Sequence, residues 1–192
     1  MANLVVGMIF IIIIIKALII LYFNSKIMDY KTKVDFSLDS LCDQIKISNK
    51  LTEKLVEEFF VSFDHKEDLV KQLIESRYDL TEESSAIFIK YANEEIKKVL
   101  KEIFNQNKFP VELKENKEFI KMCFKLKEID KRILLSQREY NENVSRYNNF
   151  ITQFPYNFLA ILFGMNKFLQ IEIHSNIAMI DNDFYGFIEN VQ

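Results

Sequence analysis

Glycine and proline are nearly missing from this chain, and their scarcity excludes most folds. Among 192 residues there are three Gly, at 7, 164 and 186, and two Pro, at 110 and 155. Between Gly7 and Gly164 only the two prolines can break a helix. Folds built from many tight turns are excluded, and an all-α chain is expected. An excess of charge of one sign is also absent. The 25 Lys and Arg are intermixed with 28 Asp and Glu, for a net −3, which supplies no basic footprint for nucleic acid. The two cysteines, Cys42 and Cys123, form no CxxC pair and are too few for a disulfide framework, so free thiols in a reducing compartment are expected. The part beyond the apolar amino end has no Gly-rich phosphate loop.

What is present starts with LVVGMIFIIIIIKALIILYF, Leu4 to Phe23, twenty residues carrying one charge. As a helix this run is about 30 Å long, enough for one bilayer crossing. The leading MAN has no basic side chain and the following LYFNSK offers no small-residue cleavage pattern, so an uncleaved anchor is expected. Lys26, Lys31 and Lys33 follow the run, and the positive-inside tendency then puts the short amino terminus outside and the rest in the cytoplasm. Lys16 is the exception within the run, since an intramembrane Lys costs roughly 2.5–3.5 kcal/mol on insertion scales. Its long stem can carry the ammonium toward an interface, and one charge on one span builds no transport path.

Beyond the anchor, apolar residues recur at spacings of three and four. Ile27, Tyr30, Val34, Leu38, Leu41 and Ile45 continue the anchor as an amphipathic helix. Ser48, Asn49 and Lys50 are polar and Thr52 can serve as an N-cap, which predicts a turn near residue 51. The alternative is a first helix that continues through residue 63 and pairs with a broken helix from 67 to 105, with the Phe154-Pro155 corner then at the end away from lipid. A second helix is expected to Tyr78, a third from Thr81 to the Phe109-Pro110 pair, and a fourth from about residue 115 to Phe154. The fourth carries Phe119, Met122, Leu126, Ile129, Ile133, Ser136, Tyr140, Val144, Tyr147, Ile151 and Phe154 without a break in rhythm. It is longer than the other three, so its last turns are expected to project toward the membrane surface. The apolar segment after Pro155 is expected to cap the bundle or to lie among headgroups, with capping slightly favoured.

Within the fourth helix a Tyr-Asn pair recurs after seven residues, about two helical turns, and then meets Phe-Pro. The pattern is Tyr140, Asn141, Val144, Tyr147, Asn148, Ile151, Phe154, Pro155 and Asn157, followed by Ala160 and Phe163-Gly164. Tyrosines at this spacing are expected to bury their rings, and the asparagines to fix the register of the helix against its neighbours. The pattern resembles the signature of bacterial LemA proteins. LVE at Leu55 to Glu57, His65, ESR at Glu75 to Arg77, Phe109-Pro110 with the following LKEN, and Arg132-Ile133 agree with it. Pro near Thr52 and Glu53, Phe at the place of Met165, and a basic cluster around Lys167 are common in that family and absent here. The resemblance implies an antiparallel four-helix bundle on a single amino-terminal transmembrane helix, with the bundle on the cytoplasmic side, and implies no reaction. The expected division is an anchor at 1–24, a bundle at 25–168 and a carboxyl-terminal tail at 169–192.

Chemistry is hard to find. Neither His65 nor His174 has a Glu three residues before it, as a di-metal bundle site would need. Asp64, His65, Glu67 and Asp68 read more readily as a solvated surface than as metal ligands. No catalytic residue, metal or cofactor is expected. The expected function is that of a membrane-tethered, non-catalytic scaffold or adaptor, with the bilayer bound through residues 4–23 and a protein partner unidentified. Membrane remodelling, and an enzyme with a site near His65, are the competing readings.

Overall fold

In the computed structural model, residues 2–61 and 116–173 are described. The second and third helices expected beyond residue 61, the Phe109-Pro110 corner, and both His65 and His174 lie outside them. The described residues are all-α, with no strand among them. Helix α1 spans Ala2–Val61, α2 spans Lys117–Thr152 and the short α3 spans Tyr156–Leu162.

Helix α1 changes character at Phe23. Before it, Leu4 to Tyr22 form a sleeve of apolar side chains, almost all exposed, on a helix long and apolar enough to cross a membrane. From Phe23 onward only one face is buried, through Ile27, Val34, Ser37, Leu41, Ile45, Ser48, Thr52 and Leu55. The expected turn near residue 51 is not there. Buried positions 41, 45, 48, 52 and 55 keep spacings of four and three, so Ser48 and Thr52 sit on the helix seam. An N-cap needs a non-helical backbone, and with no Gly or Pro nearby the regular helix continues through Thr52.

Helix α2 starts where its first turn is capped. Asn116 Oδ1 accepts the backbone N–H groups of Glu118 and Phe119 at 3.0 and 3.1 Å, and Glu118 adds negative charge to the first turn. At 36 residues the helix is about 54 Å long. Its buried positions are Phe119, Cys123, Leu126, Asp130, Ile133, Tyr140, Val144, Tyr147, Phe150 and Ile151. Met122 and Ile129, expected in the core, flank this stripe, and Cys123 lies within it.

The chain divides into two compact units, Met1–Ser37 with Tyr140–Gln170 and Leu38–Glu139 with Ile171–Gln192. In the second, Gln137 Nε2 donates to the Ile171 carbonyl at 2.9 Å, and Ile171 and Ile173 are buried. The first unit contains the Tyr-Asn repeat.

Candidate functional site: the Tyr-Asn helix, its corner and the returning tail

Within the first unit, α2 runs antiparallel to the start of α1. Phe150 stacks on Phe23 with ring centroids 5.7 Å apart and touches Tyr30 at 5.2 Å, while Asn143 Nδ2 donates to the Lys33 carbonyl at 3.4 Å. Phe23, the last residue of the apolar run, is fully buried. Tyr156 and Phe163 also stack on it, each at 6.1 Å, and Tyr156 lies 4.6 Å from Phe150. Ring contacts of this kind add about 0.5–1.5 kcal/mol each beyond the area they bury. The corner is therefore fastened to the end of the apolar run by aromatic rings.

The corner ends α2 two residues sooner than expected, at Thr152, whose Oγ1 returns a hydrogen bond to the Asn148 carbonyl at 2.9 Å. Phe154, placed in the core by its spacing, is instead 80% exposed with its edge toward Phe158. Once the helix stops at Thr152, residue 154 leaves the helical phase, and Phe150 fills the buried position. The Phe154-Pro155 peptide bond is cis. Asn157 Oδ1 accepts the N–H of Phe158 at 3.0 Å at the start of α3.

Gly164 closes α3. Its φ of +64° is a left-handed conformation that a side chain disfavours. Met165 N–H donates to the Ala160 carbonyl at 2.8 Å and Gly164 N–H to the Ile161 carbonyl at 3.2 Å, which is the paired bonding of a Schellman cap. The cap turns the chain back along α2.

The motif's polar groups then hold the returning backbone. Asn148 Nδ2 donates to the Phe168 carbonyl at 2.8 Å, and its Oδ1 accepts the Phe168 N–H at 3.0 Å. Tyr140 donates its hydroxyl to the Leu169 carbonyl at 3.0 Å. The Tyr147 ring meets Phe168 edge-on at 4.7 Å and its hydroxyl lies 4.0 Å from Met165 Sδ. Gln170 Nε2 donates to Ser145 Oγ at 2.8 Å and to the Asn141 carbonyl at 3.4 Å. A helix face thus serves a segment that has no regular secondary structure of its own, with side chains in place of a ladder. Val144 and Ile151 supply buried apolar contacts beside these groups.

Burial raises the pKa of Tyr147 and pushes up the Cys123 thiol. Cys42 is half-buried and shifted upward for the same reason. The Lys33 ammonium, 2.9 Å from Asp29, holds that carboxyl below its usual range. This pair and the Arg132–Glu128 and Arg146–Glu142 pairs are exposed and one helical turn apart, so each adds little stability. Among the described residues no three His, Cys, Asp or Glu side chains are grouped to hold a metal ion.

Every motif residue therefore belongs to one substructure: Tyr140, Val144, Tyr147, Asn148 and Ile151 in the helix, Phe154, Pro155 and Asn157 at the corner, and Phe163 and Gly164 at the cap. The backbone carbonyl of Asn141 receives the tail's Gln170. Sequence reading missed Phe23, Phe150, Tyr156 and Phe168. Phe150, three residues after Tyr147, was visible as a flank of the stripe, whereas Phe168 carries no local signal of its partner.

Among the described residues these features define an all-α architecture in which the long amino-terminal helix is a candidate membrane span and α2 is clasped by the segment that follows it. The chain belongs to the LemA family, whose family model matches residues 38–181. The match begins beyond the apolar run, contains the whole Tyr-Asn motif and continues past the Schellman cap. No curated protein matches the chain.

Proposed function

We propose that this protein is a single-pass, membrane-anchored scaffold without catalytic activity. An antiparallel four-helix bundle stands on its anchor in the cytoplasm, and its surface binds a protein partner. The observation that carries this reading is the continuity of α1, which passes from an exposed apolar sleeve to a one-faced seam at Phe23 with no linker. A helix of this kind transmits position rigidly from the bilayer to the bundle. The motif supports the same reading, since Tyr140 and Asn148 direct their polar groups to the chain's own backbone.

Photo-cross-linking in intact membranes tests the proposal, with probes at the exposed positions Lys131 and Glu139 of α2. A scaffold gives one discrete adduct with the same protein from both positions, and loses it when residues 4–23 are removed. The absence of any adduct, or an adduct indifferent to the anchor, contradicts the proposal.

A further inference from the structure

The corner between α2 and the returning tail exposes more apolar surface than a water-facing loop should. Phe154, Phe158, Ile161 and Leu162 are 80, 65, 79 and 75% exposed. Within α3 the spacing of Phe158, Ile161 and Leu162 places them on one side and Tyr156 and Ala160 on the other, while Phe154, which precedes the helix, lies against Phe158 with ring centroids 6.2 Å apart. Tyr156 stacks on Phe23 and Ala160 is buried, so α3 has one side packed on protein and one bare apolar side, and Phe163 just beyond it touches Phe23 while remaining half-exposed.

Two further observations identify what covers the bare side. Tyr156 lies 6.0 Å from Tyr22 and 6.1 Å from Phe23, which places α3 at the level where the apolar run of α1 ends. The corner also lies in the longest stretch of the described residues beyond the apolar run that has no charge: from Tyr147 to Asn166 the sequence contains no Asp, Glu, Lys or Arg. Arg146 and Lys167 bracket this stretch, as cations bracket segments that sit among headgroups.

We propose that residues 153–163 form a lipid-embedded foot, with α3 lying in the boundary between headgroups and acyl chains beside the anchor. Phe154, Phe158, Ile161 and Leu162 enter the acyl layer, and Tyr22 and Tyr156 stand at the interface as an aromatic belt. The foot gives the protein a second contact with the bilayer and fixes the tilt and rotation of a structure that one helix alone would let swivel. The proposal rests on the reading of residues 4–23 as a membrane span. The continuity of the bare side with that span favours lipid over a second copy of the chain.

The chain has no tryptophan, so a single introduced indole reports without background. Full-length protein carrying Phe158→Trp or Leu162→Trp is reconstituted in phosphatidylcholine–phosphatidylglycerol vesicles. Phe10→Trp serves as the reference for the span and Phe36→Trp, at an exposed site of α1, as the aqueous reference. The foot predicts blue-shifted emission at 158 and 162, loss of intensity with lipids brominated near the headgroup, and weaker acrylamide quenching than at 36. Acrylamide quenching at 158 and 162 equal to that at 36, with Phe10→Trp still quenched by brominated lipid, overturns the foot and leaves the anchor standing. Shielding from both quenchers shows a protein cover and overturns it in favour of a second copy. Failure of brominated lipid to quench Phe10→Trp removes the span and the foot together.

Discussion

The side-chain amide of Asn148 binds both backbone groups of Phe168, donating to its carbonyl at 2.8 Å and accepting its N–H at 3.0 Å. A segment outside any helix needs other partners for these groups, and no sheet is present among the described residues to supply them. One residue type can replace the neighbouring strand here, because Asn carries a donor and an acceptor side by side. The arrangement answers why a helix-indifferent residue is placed on α2 one position after Tyr147.

The cap at Gly164 depends on backbone conformation alone. A β-carbon there would meet nothing within 4 Å, so Gly164→Ala carries only the left-handed strain, about 1–2 kcal/mol. Gly164→Asn is expected to lose less and Gly164→Val more. Chemical denaturation of the detergent-solubilised protein checks the order, and equal stability of all three variants contradicts it.

Tyr147 predicts a loss of stability at alkaline pH. Its folded-state pKa is raised by burial, so below about pH 10 both states hold the proton and stability is unaffected. Above that value the unfolded chain ionises first, and stability declines as pH rises toward the folded pKa. Tyr147→Phe is expected to remove part of the alkaline decline in thermal midpoint. An identical pH profile for wild type and variant contradicts the assignment.

Thr52 distinguishes a turn from a continuous seam. Its hydroxyl is buried with no hydrogen-bond partner among the described residues, so Thr52→Val should leave stability equal or raise it. At an N-cap the same change would cost about 1 kcal/mol. A fall of that size in denaturant unfolding would restore the turn.

Sidedness is tested by thiol labelling in intact cells. A Cys introduced at Asn3 is expected to react with an impermeant maleimide, and one at the exposed Asp39 is not. Native Cys42 is a poor reporter, because burial raises its pKa and slows its reaction on either side. Labelling at Asp39 and not at Asn3 reverses the orientation.

The elements with strong periodicity were legible from the residues. The apolar run, its merger with the following helix, and a helix starting near residue 115 follow from composition and spacing, while the Asn116 cap that sets the start of α2 was not read from the sequence. Ser48 and Thr52 misled because cap chemistry and a polar seam position look alike in sequence, and only the uninterrupted spacing distinguishes them. Phe154 misled because the three-four rhythm continues on paper past the point where α2 stops. The asparagines were expected to set the register of α2 against its neighbours, whereas the contact seen for the Asn148 side chain is with the tail backbone at Phe168, twenty residues along the chain, which periodicity has no means to show.

Amide hydrogen exchange across the tail tests the central claim most directly, that the Tyr-Asn motif is a clasp for the chain's own backbone. In the wild-type protein a peptide containing Phe168 should exchange slowly. In Asn148→Ala that protection should be lost while the α2 peptides around Val144 stay protected, with an overall stability cost of roughly 1–3 kcal/mol from the unpaired groups. Unchanged protection at Phe168 in the variant would show that the tail is held by other means and that the motif serves another purpose.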